Sequence, residues 1–175
     1  SSGKDAFIYG RVSNPTVEIL EEKVCALEQG GKALCFSSGM AAASTLVFSV
    51  CKEGSHIICV DTAYGPLREL AEGVCREISG MSVTFVDGDK IEDFERAVRP
   101  ETSLILLESP SSLVFRLQDL RAVAEFAKKR GIKTYIDNTY CTSLYQKPLT
   151  MGIDFVMHTT TKYISGHSDV IGGVL

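Results

Sequence analysis

Short apolar, β-rich runs alternate along this chain with longer stretches of helical period, and no other feature constrains its fold as tightly. The runs 33–36, 56–60, 82–86, 103–107, 133–136 and 154–157 read as strands, and 39–51, 67–79, 91–98 and 118–130 carry helix patterns between them. Strands separated by helices point to an α/β architecture, because a parallel neighbour is reached only by a long crossover. The strands are apolar along their length rather than alternately polar, which predicts burial on both faces of a three-layer, mostly parallel sheet flanked by helices. Ser13-Asn14-Pro15-Thr16 supplies a turn and N-cap, after which Leu20, Val24 and Leu27 recur at i, i+4 and i+7 until Gly30-Gly31 ends the helix. In 118–130, Leu120, Val123, Ala124 and Ala127 share one face and Gly131 is the expected C-cap. Residues 170–175 resemble the start of a further strand, so the chain reads as one cut short.

Composition excludes several classes of function. With 175 residues, 45% hydrophobic and 23% charged, the chain can bury the core of one domain. Eighteen basic against 22 acidic residues, a net charge of -4, provide no stripe for neutralising a phosphate backbone, so no nucleic-acid partner is expected. The most apolar long run, 39–51, contains Ser44, Thr45 and Ser49 and is shorter than the roughly 20 residues that span a bilayer, so no membrane partner is expected either. The six cysteines form no C-x-x-C pair, which fits reduced thiols in a cytoplasmic protein.

The residues that follow the strands carry the chemistry: Ser37-Ser38-Gly39, Asp61, Asp87, Glu108, Asp137-Asn138, and His158 before Thr159-Thr160-Thr161-Lys162. In open parallel sheets ligands bind at the carboxyl ends of the strands. A strand that enters Ser37-Ser38-Gly39-Met40 and then a helix offers free N–H groups and a positive dipole end to an anion, a phosphate seat without the glycine spacing of ATP or NAD sites. Asp137 and Lys162 follow different strands and can converge on one pocket. Pyridoxal phosphate requires such a set: a lysine, an acid against its pyridinium nitrogen, and a phosphate cradle.

Six ordered motifs resemble the cysteine/methionine-metabolism (transsulfuration) family of pyridoxal-phosphate enzymes. They are Tyr9-Gly10-Arg11 with Ser13-Asn14-Pro15-Thr16, Phe36-Ser37-Ser38-Gly39-Met40-Ala41, Ala63-Tyr64-Gly65, Glu108-Ser109-Pro110, Ile136-Asp137-Asn138-Thr139, and Thr161-Lys162-Tyr163 with Gly166-His167-Ser168-Asp169. The resemblance implies the large domain of fold type I, with an N-terminal arm at 1–16 and a cofactor-binding domain at 17–175 that lacks the smaller C-terminal domain. It implies pyridoxal 5'-phosphate as cofactor, Lys162 as Schiff-base lysine and proton shuttle, Asp137 as partner of the pyridine nitrogen, and Tyr64 stacked on the ring. Ser38, Gly39, Met40, Thr159 and Thr161 would hold the phosphate, Thr159 standing where serine is common. Tyr9 and Arg11 would reach a neighbouring subunit's cofactor in a homo-oligomer, a dimer of dimers.

Two departures bear on the substrate, a small sulfur amino acid. Many members carry Ser-Asn-Pro where this chain has Ser111-Ser112-Leu113, and the run Glu108-Ser109-Pro110-Ser111-Ser112, with Tyr64-x-Pro66, is more similar to bacterial cystathionine β-lyases than to γ-lyases. The arginine for the substrate carboxylate lies in the C-terminal domain that this chain lacks. The resemblance therefore favours C–S β-elimination from cystathionine. Cystathionine γ-synthase, γ-lyase or O-acylhomoserine sulfhydrylase chemistry, or a noncatalytic remnant of the fold, stand as alternatives.

Overall fold

The computed structural model describes residues 9–175, so part of the arm expected at 1–16 lies outside the described residues. The strands are β1 (Cys35–Phe36), β2 (His56–Val60), β3 (Ser82–Val86), β4 (Thr102–Glu108), β5 (Lys133–Asp137), β6 (Phe155–Thr159) and β7 (Gly173–Val174). They form one sheet in the order β1-β7-β6-β5-β4-β2-β3. From β3 to β6 all neighbours are parallel, and β7 runs antiparallel to both β6 and β1. The antiparallel return has a local cause. Thr160 N–H donates to Gly172 O (2.9 Å) and Gly172 N–H to Thr161 Oγ1 (3.2 Å), which folds 160–172 back on itself. A parallel return would need a crossover to the other end of the sheet.

Burial on both faces holds for the central strands. Ile57, Ile58, Cys59 and Val60 of β2, Leu104–Leu107 of β4, and Tyr135 and Ile136 of β5 are fully buried. The helices flank this sheet: α1 (Pro15–Glu28), α2 (Gly39–Val50), α3 (Gly65–Glu69), α4 (Cys75–Ser79), α5 (Ile91–Ala97), α6 (Leu120–Arg130) and the short α7 (Thr142–Tyr145). The pattern at 67–79 predicts one helix, whereas a π turn at Leu70–Val74 joins α3 to α4.

In α1 the Asn14 side chain accepts from Thr16 N–H (2.9 Å) and Val17 N–H (3.4 Å), the cap expected there. The other end differs from expectation. Gln29, not Gly30, takes the left-handed conformation (φ 58°), and Leu27 faces outward, 55% exposed. Glu28, only 4% exposed, turns inward in its place. Leu20, Val24 and Glu28 are spaced i, i+4, i+8, so the buried stripe of this helix ends on a carboxylate.

Candidate active site

Strand order sets where a site forms. The chain steps from β2 outward to β3, then returns to the other side of β2 as β4, so the loops after β2 and β4 diverge and leave a crevice at the carboxyl edge. Tyr64 follows β2 and Glu108 ends β4, and one hydrogen bond spans the crevice: Tyr64 N–H donates to Glu108 Oε2 at 2.6 Å. The other carboxyl oxygen, Oε1, accepts from the Ser112 hydroxyl at 2.6 Å. Ser112 thus stands in the Ser111-Ser112-Leu113 departure with its hydroxyl committed to Glu108. Its loop is tied down by Arg116, which pairs with Asp87 (3.1 Å), Asp89 (3.3 Å) and Asp61 (3.4 Å).

Glu108 and Asp137 are register partners on adjacent parallel strands, which directs both carboxyl groups to one face. Burial pushes Glu108 up to about 7, with the neighbouring Asp137 charge adding to the rise and the Ser112 and Tyr64 donors opposing it. Asp137 is also raised, by burial, although Thr139 N–H donates to its Oδ1 at 2.9 Å. Among the described residues Asp137 has no cation in salt-bridge contact. A half-buried carboxyl of this kind suits a cationic ring nitrogen supplied from outside the protein.

Beside it lies an anion cradle. At the start of α2, Ser38 Oγ accepts from Ala41 N–H (3.0 Å) and Ser38 O from Ala42 N–H (3.1 Å). The N–H groups of Gly39 and Met40 are left without an acceptor among the described residues, as expected for a first helical turn. Thr159 closes the other side: a Cβ on Gly39 would stand 2.8 Å from Thr159 Cβ and 3.1 Å from its Oγ1, so only glycine permits this approach. Thr159 Oγ1 in turn donates to Thr161 Oγ1 (3.1 Å) or Gly172 O (3.1 Å). The backbone of Thr159 is held through its N–H to Thr139 Oγ1 (2.8 Å), which links the cradle to the Asp137 loop.

Lys162 sits one turn beyond, its N–H on Thr159 O at 3.4 Å. Its ammonium is exposed and makes no hydrogen bond or ion pair among the described residues. Tyr64 is 47% exposed. The structure does not bring Tyr9 and Arg11 onto these groups: the Arg11 guanidinium lies 5.2 Å over the Tyr9 ring, and both side chains are exposed.

The family model for Cys/Met metabolism PLP-dependent enzymes matches residues 1–175. The chain belongs to the Cys/Met metabolism PLP-dependent enzymes. It is 41% identical over 167 residues to cystathionine gamma-lyase of Bacillus subtilis, covering 95% of this chain and 44% of that protein. It is 39% identical over 169 residues to cystathionine beta-lyase MetC of the same organism, covering 97% and 43%. The crystal structure of metB from Corynebacterium glutamicum superposes with a TM-score of 0.94 at 38% identity, covering 98% of this chain and 44% of that one. The chain therefore spans about half the length of the relatives it matches.

Pyridoxal 5'-phosphate is the cofactor of this family, and the residues present fit it. Among the described residues the Gly39 and Met40 N–H groups have no acceptor, half-buried Asp137 has no salt-bridge cation, and Lys162 has no ion-pair partner. Sequence reading missed two participants. Glu108 was visible only as a strand-end acid, its hold on Tyr64 hidden by a separation of 44 residues. Glu28 had one sequence signal, an acid in the i, i+8 register of an apolar helix face.

Proposed function

We propose that this chain builds the cofactor pocket of a carbon–sulfur lyase that acts on sulfur amino acids, with cystathionine cleaved at Cβ. The observation that carries the reading is the convergence on one sheet edge of an unpaired acid, Asp137, with an anion cradle at Gly39–Met40 and Thr159. When bound, pyridoxal phosphate supplies an electron sink for the pair left behind when a proton leaves the substrate Cα. Lys162 Nζ anchors the cofactor at rest, accepts the Cα proton and passes a proton to the departing sulfur. The Asp137 carboxylate keeps the proton on the pyridine nitrogen, and Tyr64 covers one ring face. Gly39 and Met40 donate backbone N–H groups to the phosphate, with Ser38, Thr159 and Thr161 contributing hydroxyls. Tyr9 and Arg11, both exposed, serve a neighbouring subunit's phosphate in a homo-oligomer.

The choice of Cβ rests on the Glu108-Ser109-Pro110-Ser111-Ser112 run with Tyr64-x-Pro66, in which the Ser112 hydroxyl donates to Glu108. β-Elimination with water yields homocysteine, pyruvate and ammonia from cystathionine, whereas γ-elimination with water yields cysteine, 2-oxobutyrate and ammonia, so the keto acid formed identifies the bond broken. For the pocket itself, the test is borohydride reduction of the protein after incubation with pyridoxal phosphate, followed by peptide mapping. A cofactor-sized mass on Lys162, lost in Lys162→Ala, is the expected result. Labelling spread over surface lysines and unchanged in Lys162→Ala overturns the reading.

A further inference from the structure

The reverse face of the strand ends that carry the pocket holds a second polar constellation that the proposed chemistry does not use. His158 of β6 points away from Thr159, because successive strand residues face opposite sides. Its Nε2 lies 2.6 Å from Glu28 Oε1, both side chains nearly fully buried. Asn138, the residue after Asp137, donates Nδ2–H to the same Glu28 oxygen (3.3 Å) and to Gln146 O (2.9 Å). Gln146 Nε2 closes the set, donating to Asn138 Oδ1 (2.9 Å) and to the carbonyl of Ser109 (2.8 Å), the residue after Glu108.

Each strand-end member of this network is the chain neighbour of a pocket residue: Ser109 of Glu108, Asn138 of Asp137, His158 of Thr159. One carboxylate at the end of α1 draws two of the three strand ends together. The interior location raises the stakes, since a donor left unpaired there loses its hydration without compensation. Glu28 Oε2 and His158 Nδ1 are themselves buried without partners, so the network is under-satisfied and kept at a cost in stability. Apolar residues at 28 and 158 would fill this space more cheaply.

We infer that Glu28 and His158 are positioning residues for the cofactor pocket: from behind the sheet they fix the spacing between the Asp137 and Thr159 strand ends, and so between the ring acid and the phosphate cradle. The inference rests on the pocket being a pyridoxal-phosphate site. Neither residue touches the cofactor, and their effect reaches it through the backbone of residues 137–139 and 158–159.

The experiment compares Glu28→Gln and Glu28→Leu by cofactor titration, by the induced circular dichroism of the bound cofactor, and by thermal midpoint. Gln keeps an Oε1 acceptor for both His158 Nε2–H and Asn138 Nδ2–H, whereas Leu leaves both donors unpaired. The expected result is cofactor affinity within about threefold of the parent for Gln, against a loss of roughly 10- to 100-fold and an altered induced spectrum for Leu, measured well below its thermal midpoint. A Leu variant that melts earlier but binds with parental affinity and spectrum makes the network purely structural and overturns the inference. If the Leu variant does not fold, His158→Leu decides: it removes the link between the Thr159 strand end and Glu28 while Asn138 keeps its bond to Glu28, and parental affinity and spectrum in it equally overturn the inference. A parent protein that takes up no cofactor removes the pocket reading itself, an outcome distinct from either.

Discussion

Replacing Glu108 by glutamine isolates the electrostatic cost of a second carboxyl beside Asp137. Glu108 is 7% exposed and its carboxyl is raised from 4.5 to about 7, by burial first and by Asp137 second. The native state therefore keeps a proton that the unfolded chain gives up. Its stabilising contribution is complete below pH 4.5, declines as pH rises, and is gone above about 7. That displacement corresponds to about 3 kcal/mol lost between pH 4.5 and 8.5. In Glu108→Gln the amide oxygen still accepts from Tyr64 N–H and the amide nitrogen can donate to Ser112 Oγ, so the geometry survives while the titration disappears. Asp137 titrates in both proteins and largely cancels from the comparison. Urea unfolding of the cofactor-free protein at intervals across this range, followed by far-ultraviolet circular dichroism, reads the difference directly. With a denaturant slope of about 1–3 kcal/mol/M, the midpoint of the glutamine variant should rise relative to the parent by about 1–3 M from the acid to the alkaline end. Parallel curves, with the stability difference changing by less than about 1 kcal/mol, would refute the assignment of Glu108 as a buried, partly protonated acid.

Other outcomes follow from the same geometry. Gly39→Ala places a methyl 2.8 Å from Thr159 Cβ, an overpacking expected to cost about 1–3 kcal/mol. It should weaken binding of pyridoxal phosphate more than that of phosphate-free pyridoxal; equal weakening in titrations of the two would separate Gly39 from the phosphate. Burial, helped by the Arg99 charge, lowers His56 below 6.5, and its ring bonds Thr102 Oγ1 (2.7 Å) and Thr84 Oγ1 (2.9 Å). The stability tied to the neutral ring is present above pH 6.5 and lost as pH falls through and below it. His56→Gln should therefore flatten the acid limb of the stability profile, and an unchanged limb counts against the neutral ring.

How much of this was legible in the chain depends on how far apart the cooperating residues lie. The alternation of apolar runs and helix patterns is local, so the parallel strands and most helices were readable, as were the polar residues at the strand ends. The Ser38 cap and the turn N–H groups of Gly39 and Met40 express short-range rules of backbone geometry, whereas the glycine required against Thr159 answers to a residue far along the chain. The placement of Asp137 and Lys162 after separate strands was also legible, because parallel strands end on one edge.

Tertiary structure decided the rest. Strand order places β4 between β2 and β5, which makes Glu108 the register partner of Asp137 and brings it to the Tyr64 backbone, and no local pattern encodes that order. It also decided that the buried stripe of α1 ends on Glu28 and leaves Leu27 exposed, since the inward direction of a helix face depends on what packs against it. His158 lies 130 residues beyond Glu28, and only the packing of α1 against the sheet gives that carboxylate a partner. Periodicity within one segment is written in the sequence, but the identity of the surface that a segment meets belongs to the folded chain as a whole.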